Sequence, residues 1–183
     1  EKRLRYSRLK EVQNHPEVTG VLNIYADEAT TEDQDGEILH VLHPNEEIVE
    51  LLDDLYLRLG MHDRAWQIIR DMAGYGDDYH EIIVSQSLHR ILKLIQLPRE
   101  FVNRVEKNGD LMGFEISDIE MKDSNALQYF SYSVNYQTEQ EKEEKRFYPF
   151  RILHFRIPSS KYGVYGESVI DSVLSSIEMI SMM

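Results

Sequence analysis

The chain of 183 residues contains no cysteine, which excludes a disulfide scaffold, a thiol nucleophile and any zinc–thiolate site. It also lacks a run of roughly 18 uncharged apolar residues, the minimum for a helix that crosses a bilayer. Lys2, Arg3 and Arg5 are not followed by an apolar stretch, so neither a signal peptide nor a membrane span is expected. No Gly-Lys-Ser/Thr string and no G-x-G-x-x-G occurs, which leaves no loop to cradle a nucleotide phosphate. Basic residues are scarce as well: 20 stand against 33 acidic ones, for a formal charge of −13. That sign repels a phosphate backbone and argues against static DNA binding. What is present is an apolar share of 42%, close to that of a soluble protein and enough for a sizeable core.

Hydrophobic spacing predicts helices in the first part of the chain. Leu4, Leu9 and Val12, set among basic residues, predict a surface helix broken at Asn14-His15-Pro16, and Pro16 suits the first turn of a second helix. Val18, Val21, Leu22, Tyr25 and Ala29 predict its buried stripe, with Glu17, Asn23 and Asp27 outward. Asp27 and Glu28 lie near its C-terminal end, where the helix dipole favours cations. They are either a solvated pair or a contact with another subunit. Residues 31–36 read as a polar turn and Glu37 to Leu42 as a short strand. Asn45 caps a third helix whose apolar face is Ile48, Leu51, Leu52, Leu55, Leu57 and Leu59 and which stops at Gly60. A fourth, capped by Asp63 and stopped at Gly74, turns Ala65, Trp66, Ile69 and Met72 inward. The pair forms an αα-hairpin.

From Asp78 the period becomes strand-like. Tyr79 to Val84, Ile91 to Leu97, Phe101 to Glu106 and Leu111 to Ile116 are expected strands, the last two joined by an Asn108-Gly109 hairpin turn. A polar patch at Met121 to Asn125 precedes alternating Phe130, Tyr132, Val134 and Tyr136, a half-buried strand. Thr138 to Arg146 has no apolar residue and reads as a solvated loop or hairpin tip between two strands. Helices first, then mostly antiparallel strands, then a long C-terminal helix make the fold α+β, with no solenoid repeat.

Candidate chemistry fails on spacing. Gly166-Glu167-Ser168-Val169-Ile170 begins like a hydrolase nucleophile elbow but has Ile170 where the second glycine is required. Ser168 then belongs to the first turn of the last helix. His40 and His43 would point to opposite sides of a strand, which rules against a shared metal. Asp33-Gln34-Asp35-Gly36 has its glycine in the wrong register for a calcium loop. Asp77, Asp78 and His80 cluster after Gly76, and a turn accounts for them without a nucleophile or an orienting partner. No cofactor and no metal is expected.

Three strings carry a resemblance. They are Pro16-Glu17-Val18 leading into Ile24-Tyr25-Ala26-Asp27-Glu28-Ala29; Tyr75-Gly76-Asp77 followed by a strand and by Leu97-Pro98; and His154-Phe155-Arg156-Ile157-Pro158-Ser159 followed by Tyr165-Gly166-Glu167-Ser168-Val169-Ile170. In this order they resemble the portal, or head-to-tail connector, proteins of contractile-tailed bacteriophages. The resemblance marks Tyr25, Asp27, Glu28, Tyr75, Gly76, Asp77, Pro98, His154, Arg156, Pro158, Tyr165, Gly166 and Ser168 as motif positions and candidate subunit contacts. Arg156 has either an acidic partner across such an interface or one in its own chain.

The resemblance implies a structural protein with no enzymatic activity: twelve copies in a ring at one capsid vertex, through which double-stranded DNA passes without tight binding. It implies docking to the terminase large subunit, which supplies the ATPase, and to capsid, scaffold and tail-connector proteins, in the virion and, during assembly, in the host cytoplasm. The acidity would then keep DNA sliding; alternatively it only keeps the chain soluble. Glu1 at the start and the apolar run Ile177 to Met183 at the end lead to the expectation of an N-terminal portion of a longer protein. In it, residues 1–157 would form a wing-like α+β domain and 158–183 a turn and the start of a helix leading towards the stem. The competing readings are a generic oligomeric α+β interaction module and a hydrolase using Asp77 or Asp53 with a histidine.

Overall fold

The computed structural model describes residues 2–85, 90–116, 146–172 and 174. The elements are α1 (Lys2–Val12), α2 (Pro16–Ala29), α3 (Glu46–Leu59), α4 (Met61–Tyr75), β1 (Asp77–Val84), β2 (Ile91–Leu97), β3 (Val102–Lys107), β4 (Asp110–Ile116), β5 (Arg146–Phe147), a 3-10 turn at Pro149–Arg151, and β6 (Ile152–Arg156). The class is α+β, as expected. They form two compact units. One holds residues 4–77 and the described residues from 156 onward; the other holds residues 2–3 and the described part of 78–155.

In the helical unit, α1 buries Tyr6, Leu9 and Val12, three residues apart, on one stripe. Pro16 opens α2 at its first turn, where its missing N–H costs nothing. The buried stripe of α2 is Val18, Leu22 and Ala26, spaced four apart and rotated from the expected one. Val21 and Tyr25 are exposed instead, because the narrow strip of small and medium side chains fits the α4 surface. Tyr6, Leu9, Val12, Val18 and Leu22 make the core of the unit with Ala73 and Ile170.

The αα-hairpin forms as expected. Asn45 accepts a hydrogen bond from the Glu47 N–H at 2.9 Å to cap α3, and Gly60, with φ 61°, ends it in the left-handed conformation. Three details differ. Helix α4 begins at Met61 directly after Gly60, so Asp63 is not the cap but an acid in the first turn, favourable to the dipole. The stop is Gly76 rather than Gly74. Gly74 lies inside the helix, where a Cβ would come within 2.6 Å of the Gln13 Oε1; its carbonyl accepts the Gln13 Nε2–H at 3.0 Å. Ala65, Ile68 and Ala73 are the buried apolar positions of α4, while Trp66, Ile69 and Met72 are half-covered.

Residues 37–42 form no strand. The Asp33 carboxylate accepts hydrogen bonds from the N–H groups of Asp35 (2.8 Å) and Glu37 (2.9 Å), and the Asp33 N–H donates to the Glu37 carbonyl at 2.9 Å. This Asx-type turn uses the backbone groups that a ladder would need.

The other unit contains two sheets, ordered β2-β1-β6 and β3-β4-β5. Strand β1 pairs antiparallel with β2 from Tyr79 opposite Leu97 to Val84 opposite Ile91. Strands β3 and β4 form the expected hairpin: Asn108 and Gly109 both have positive φ, 55° and 88°, as a type I′ turn requires. Tyr79, Leu97, Val102, Phe114, Phe147 and Ile152 form the core of this unit. Asp77, Asp78 and His80 do not make a turn. They open β1 and are buried, so this strand shows no polar alternation. Burial is possible because each charge is answered. Asp78 takes His80 Nε2 at 2.6 Å and hydrogen bonds from Gln96 at 2.9 Å and Arg99 at 3.2 Å. Glu81 pairs with Arg151 at 2.9 Å, and Arg151 also donates to the Ile82 carbonyl.

Among the described residues no helix is long and apolar enough to cross a membrane. The expected strand through Phe130 to Tyr136, the polar patch before it, the loop of residues 138–145 and nearly all of the expected C-terminal helix lie outside the described residues. Near that end, residues 169–172 are turns and Leu174 is helical.

Candidate functional site

The densest polar arrangement in the helical unit lies where the end of α4 meets the segment after β6. The exit of α4 is fixed by Gly76, whose φ of 87° suits glycine alone, and whose N–H bonds back to the Met72 carbonyl at 2.7 Å. Gly166 rests directly on it. A Cβ on Gly76 would meet the Gly166 carbonyl carbon at 2.6 Å and the Glu167 nitrogen at 2.7 Å; one on Gly166 would meet the Gly76 carbonyl carbon at 2.5 Å. The two segments therefore touch backbone to backbone, which no other residue type allows.

Hydrogen bonds close this contact. The Ile157 N–H donates to the Gly76 carbonyl at 2.9 Å, Glu167 N–H to the Ile157 carbonyl at 3.0 Å, and Val169 N–H to the Ala73 carbonyl at 3.0 Å. Asp77 accepts from the Gly166 N–H at 2.7 Å and from the Tyr6 hydroxyl at 2.6 Å. The Ser168 hydroxyl points at the Ala73 and Gly74 carbonyls, 2.8 and 2.9 Å away, orphan acceptors of the last turn of α4. Ser159 Oγ donates to Glu167 at 2.8 Å.

Arg5 locks the group from α1. Its guanidinium donates to the Gly166 carbonyl at 2.9 Å and pairs with Asp171 at 2.7 Å, with the Tyr162 ring 3.9 Å from its centre. Burial works against the Arg5 charge, but the hydrogen bond and attraction of Asp171 outweigh it and raise its pKa above the ordinary value. Asp171 also accepts from the Ser168 N–H at 3.0 Å.

This clasp unites Tyr75, Gly76, Asp77, Tyr165, Gly166 and Ser168, drawn from two of the sequence strings. Tyr75 packs edge-on against Tyr6, with ring centroids 6.3 Å apart. Arg156 lies beside the clasp and donates to the Val164 carbonyl at 2.7 Å, and Pro158 is exposed between the two parts of that string. Tyr25, Asp27 and Glu28 are elsewhere on α2; Asp27 accepts the Trp66 indole N–H at 2.7 Å. In the other unit, Pro98 opens a turn closed by the Phe101 N–H at 3.0 Å. His154 there stacks on Tyr79 at 4.2 Å. Arg5, Tyr6 and Asp171 escaped sequence reasoning, since a basic amphipathic helix and an apolar segment hide them. The repeated Tyr-Gly was the available signal, because each glycine stands where a backbone approaches.

Chemically the clasp holds rather than reacts. Ser168 faces carbonyls and not a base, and both Asp77 oxygens carry donors, which is the arrangement of a structural joint. The chain is an α+β protein in which Tyr75, Gly76, Asp77, Tyr165, Gly166 and Ser168 lie at one contact between distant segments. A family model described as Bacteriophage T4-like portal protein (Gp20) matches residues 2–177, and the chain belongs to that family. A search of curated proteins found no match.

Proposed function

We propose that this chain is the N-terminal portion of a portal subunit, twelve of which form a ring at one capsid vertex for DNA entry during packaging and exit at ejection. The observation that carries this reading is the family match across residues 2–177. The formal charge of −13 supports it, since an acidic wall lets a phosphate backbone slide without capture. The role is geometric and electrostatic, with terminase, capsid or scaffold and tail-connector proteins as docking partners, first in the host cytoplasm and then in the virion. Residues 1–157 serve as the wing-like part and 158–183 lead towards the stem. The clasp fits this role as the joint that fixes the direction in which the chain leaves α4.

Electron microscopy and native mass measurement of the full gene product test this. Hollow rings of about twelve copies are expected. A compact particle of one or two copies refutes the reading.

A further inference from the structure

Helix α3 is amphipathic, yet none of its residues is buried. Leu51 is 63% exposed and Ile48 37%, while Leu42 before the helix is 93% exposed. Leu51 sits between Glu47, one turn earlier, and Asp54, one turn later. The helix carries five acidic residues and one basic, Arg58, for a formal −4; Arg58 pairs with Asp54 at 2.8 Å and leaves that side chain 61% exposed. It is an apolar stripe edged with carboxylates.

Helix α1 is the reverse. It has five basic residues and one acidic, Glu11, for a formal +4. Lys2 and Arg5 are engaged within their own units, by the Val102 carbonyl and the clasp. Arg8 and Lys10 are exposed, and among the described residues neither has an ion-pair partner. Leu4, 58% exposed, lies one turn from Arg8 on the same face.

We infer that the α3 face receives the outer face of α1 from a second copy of this chain, with Leu4 against Leu51 and Arg8 and Lys10 towards Glu47 and Asp54. Uncommitted cations on one exposed face and exposed carboxylates on the other are the pattern of complementary surfaces. The faces differ, so the contact is head-to-tail: each copy gives one and receives one, and repetition closes a ring. A helix of 14 residues spans about 21 Å, so the contact is small and supplements others around the ring. This inference rests on the ring reading and names one of its surfaces.

These 183 residues hold no native cysteine to compete with engineered ones. Leu4→Cys and Leu51→Cys, made separately and mixed under mild oxidation, should give a disulfide dimer containing one of each. The double variant should give a ladder of covalent oligomers. Arg8→Glu with Lys10→Glu should raise the concentration for half-assembly about tenfold, with recovery when mixed with Glu47→Lys plus Asp54→Lys chains. Rings that form without the Leu4–Leu51 crosslink, or are indifferent to these reversals, overturn this inference alone. A crosslink within one copy overturns it too. A chain that stays single at every concentration overturns it together with the ring reading.

Discussion

Replacing Gly166 by alanine probes the clasp with one methyl group. Gly166 has an ordinary φ, so backbone strain does not enter. The new Cβ would lie 2.5 Å from the Gly76 carbonyl carbon and 3.1 Å from the Ile157 carbonyl oxygen. Both neighbours are backbone, so no side chain can rotate away, and the segment must lift. Lifting endangers the Ile157–Gly76, Glu167–Ile157 and Gly166–Asp77 hydrogen bonds. Overpacking costs about 1–3 kcal/mol, and each hydrogen bond lost adds about 1 kcal/mol. With two of the three bonds lost, destabilisation of about 3–5 kcal/mol follows, a large fraction of ordinary domain stability. At about 2–4 °C per kcal/mol, the melting temperature should fall by roughly 10 °C. The assay is denaturant unfolding of the full chain, with amide exchange at Ile157 and Glu167. Gly20→Ala is the control: its Cβ meets nothing within 4 Å, and in a helix it should be neutral or stabilising by up to about 1 kcal/mol. Gly166→Ala within about 0.5 kcal/mol of the parent, with exchange unchanged, would refute the reasoning.

Asp171→Asn removes the partner of Arg5 and should destabilise by about 3 kcal/mol in urea unfolding, with less effect when Arg5→Met is also present. Gly74→Ala should destabilise by about 1–2 kcal/mol through contact with Gln13; in a Gln13→Ala background the same change should become neutral or favourable, which a double-mutant cycle measures. The pKa of Asp33 is lowered, first by the Glu37 backbone N–H and also by Asp35. The turn's support is therefore present above the unfolded-state value and is lost as pH falls through the lower folded-state value. Amide exchange at Glu37, read against pH, should lose protection in that acidic window, and Asp33→Ala should abolish the dependence.

Much of the fold was legible from local chemistry. Pro16, Asn45 and Gly60 mark helix ends because each satisfies or removes backbone groups on its own, and Asn108-Gly109 marks its hairpin because both residues accept positive φ. Errors came where a partner decides. Periodicity allowed several stripes on α2, and only the surface of α4 selected Val18, Leu22 and Ala26. Gly74 looked like a helix stop until Gln13 was seen to need its space. Asp77, Asp78 and His80 looked like a turn because carboxylates are rarely buried, and their partners Tyr6, Gln96 and Arg99 lie far off in sequence.

The sequence by itself determined the α+β class, most element ends, the acidity and the short strings shared with portal proteins, since these depend on neighbours within a few residues. Only the tertiary structure decided that Gly76 and Gly166 touch, that Arg5 fastens them, and that Leu51 of α3 stays exposed. Those outcomes depend on which distant backbones meet and which surfaces remain without a partner, and chain order does not encode distance in space.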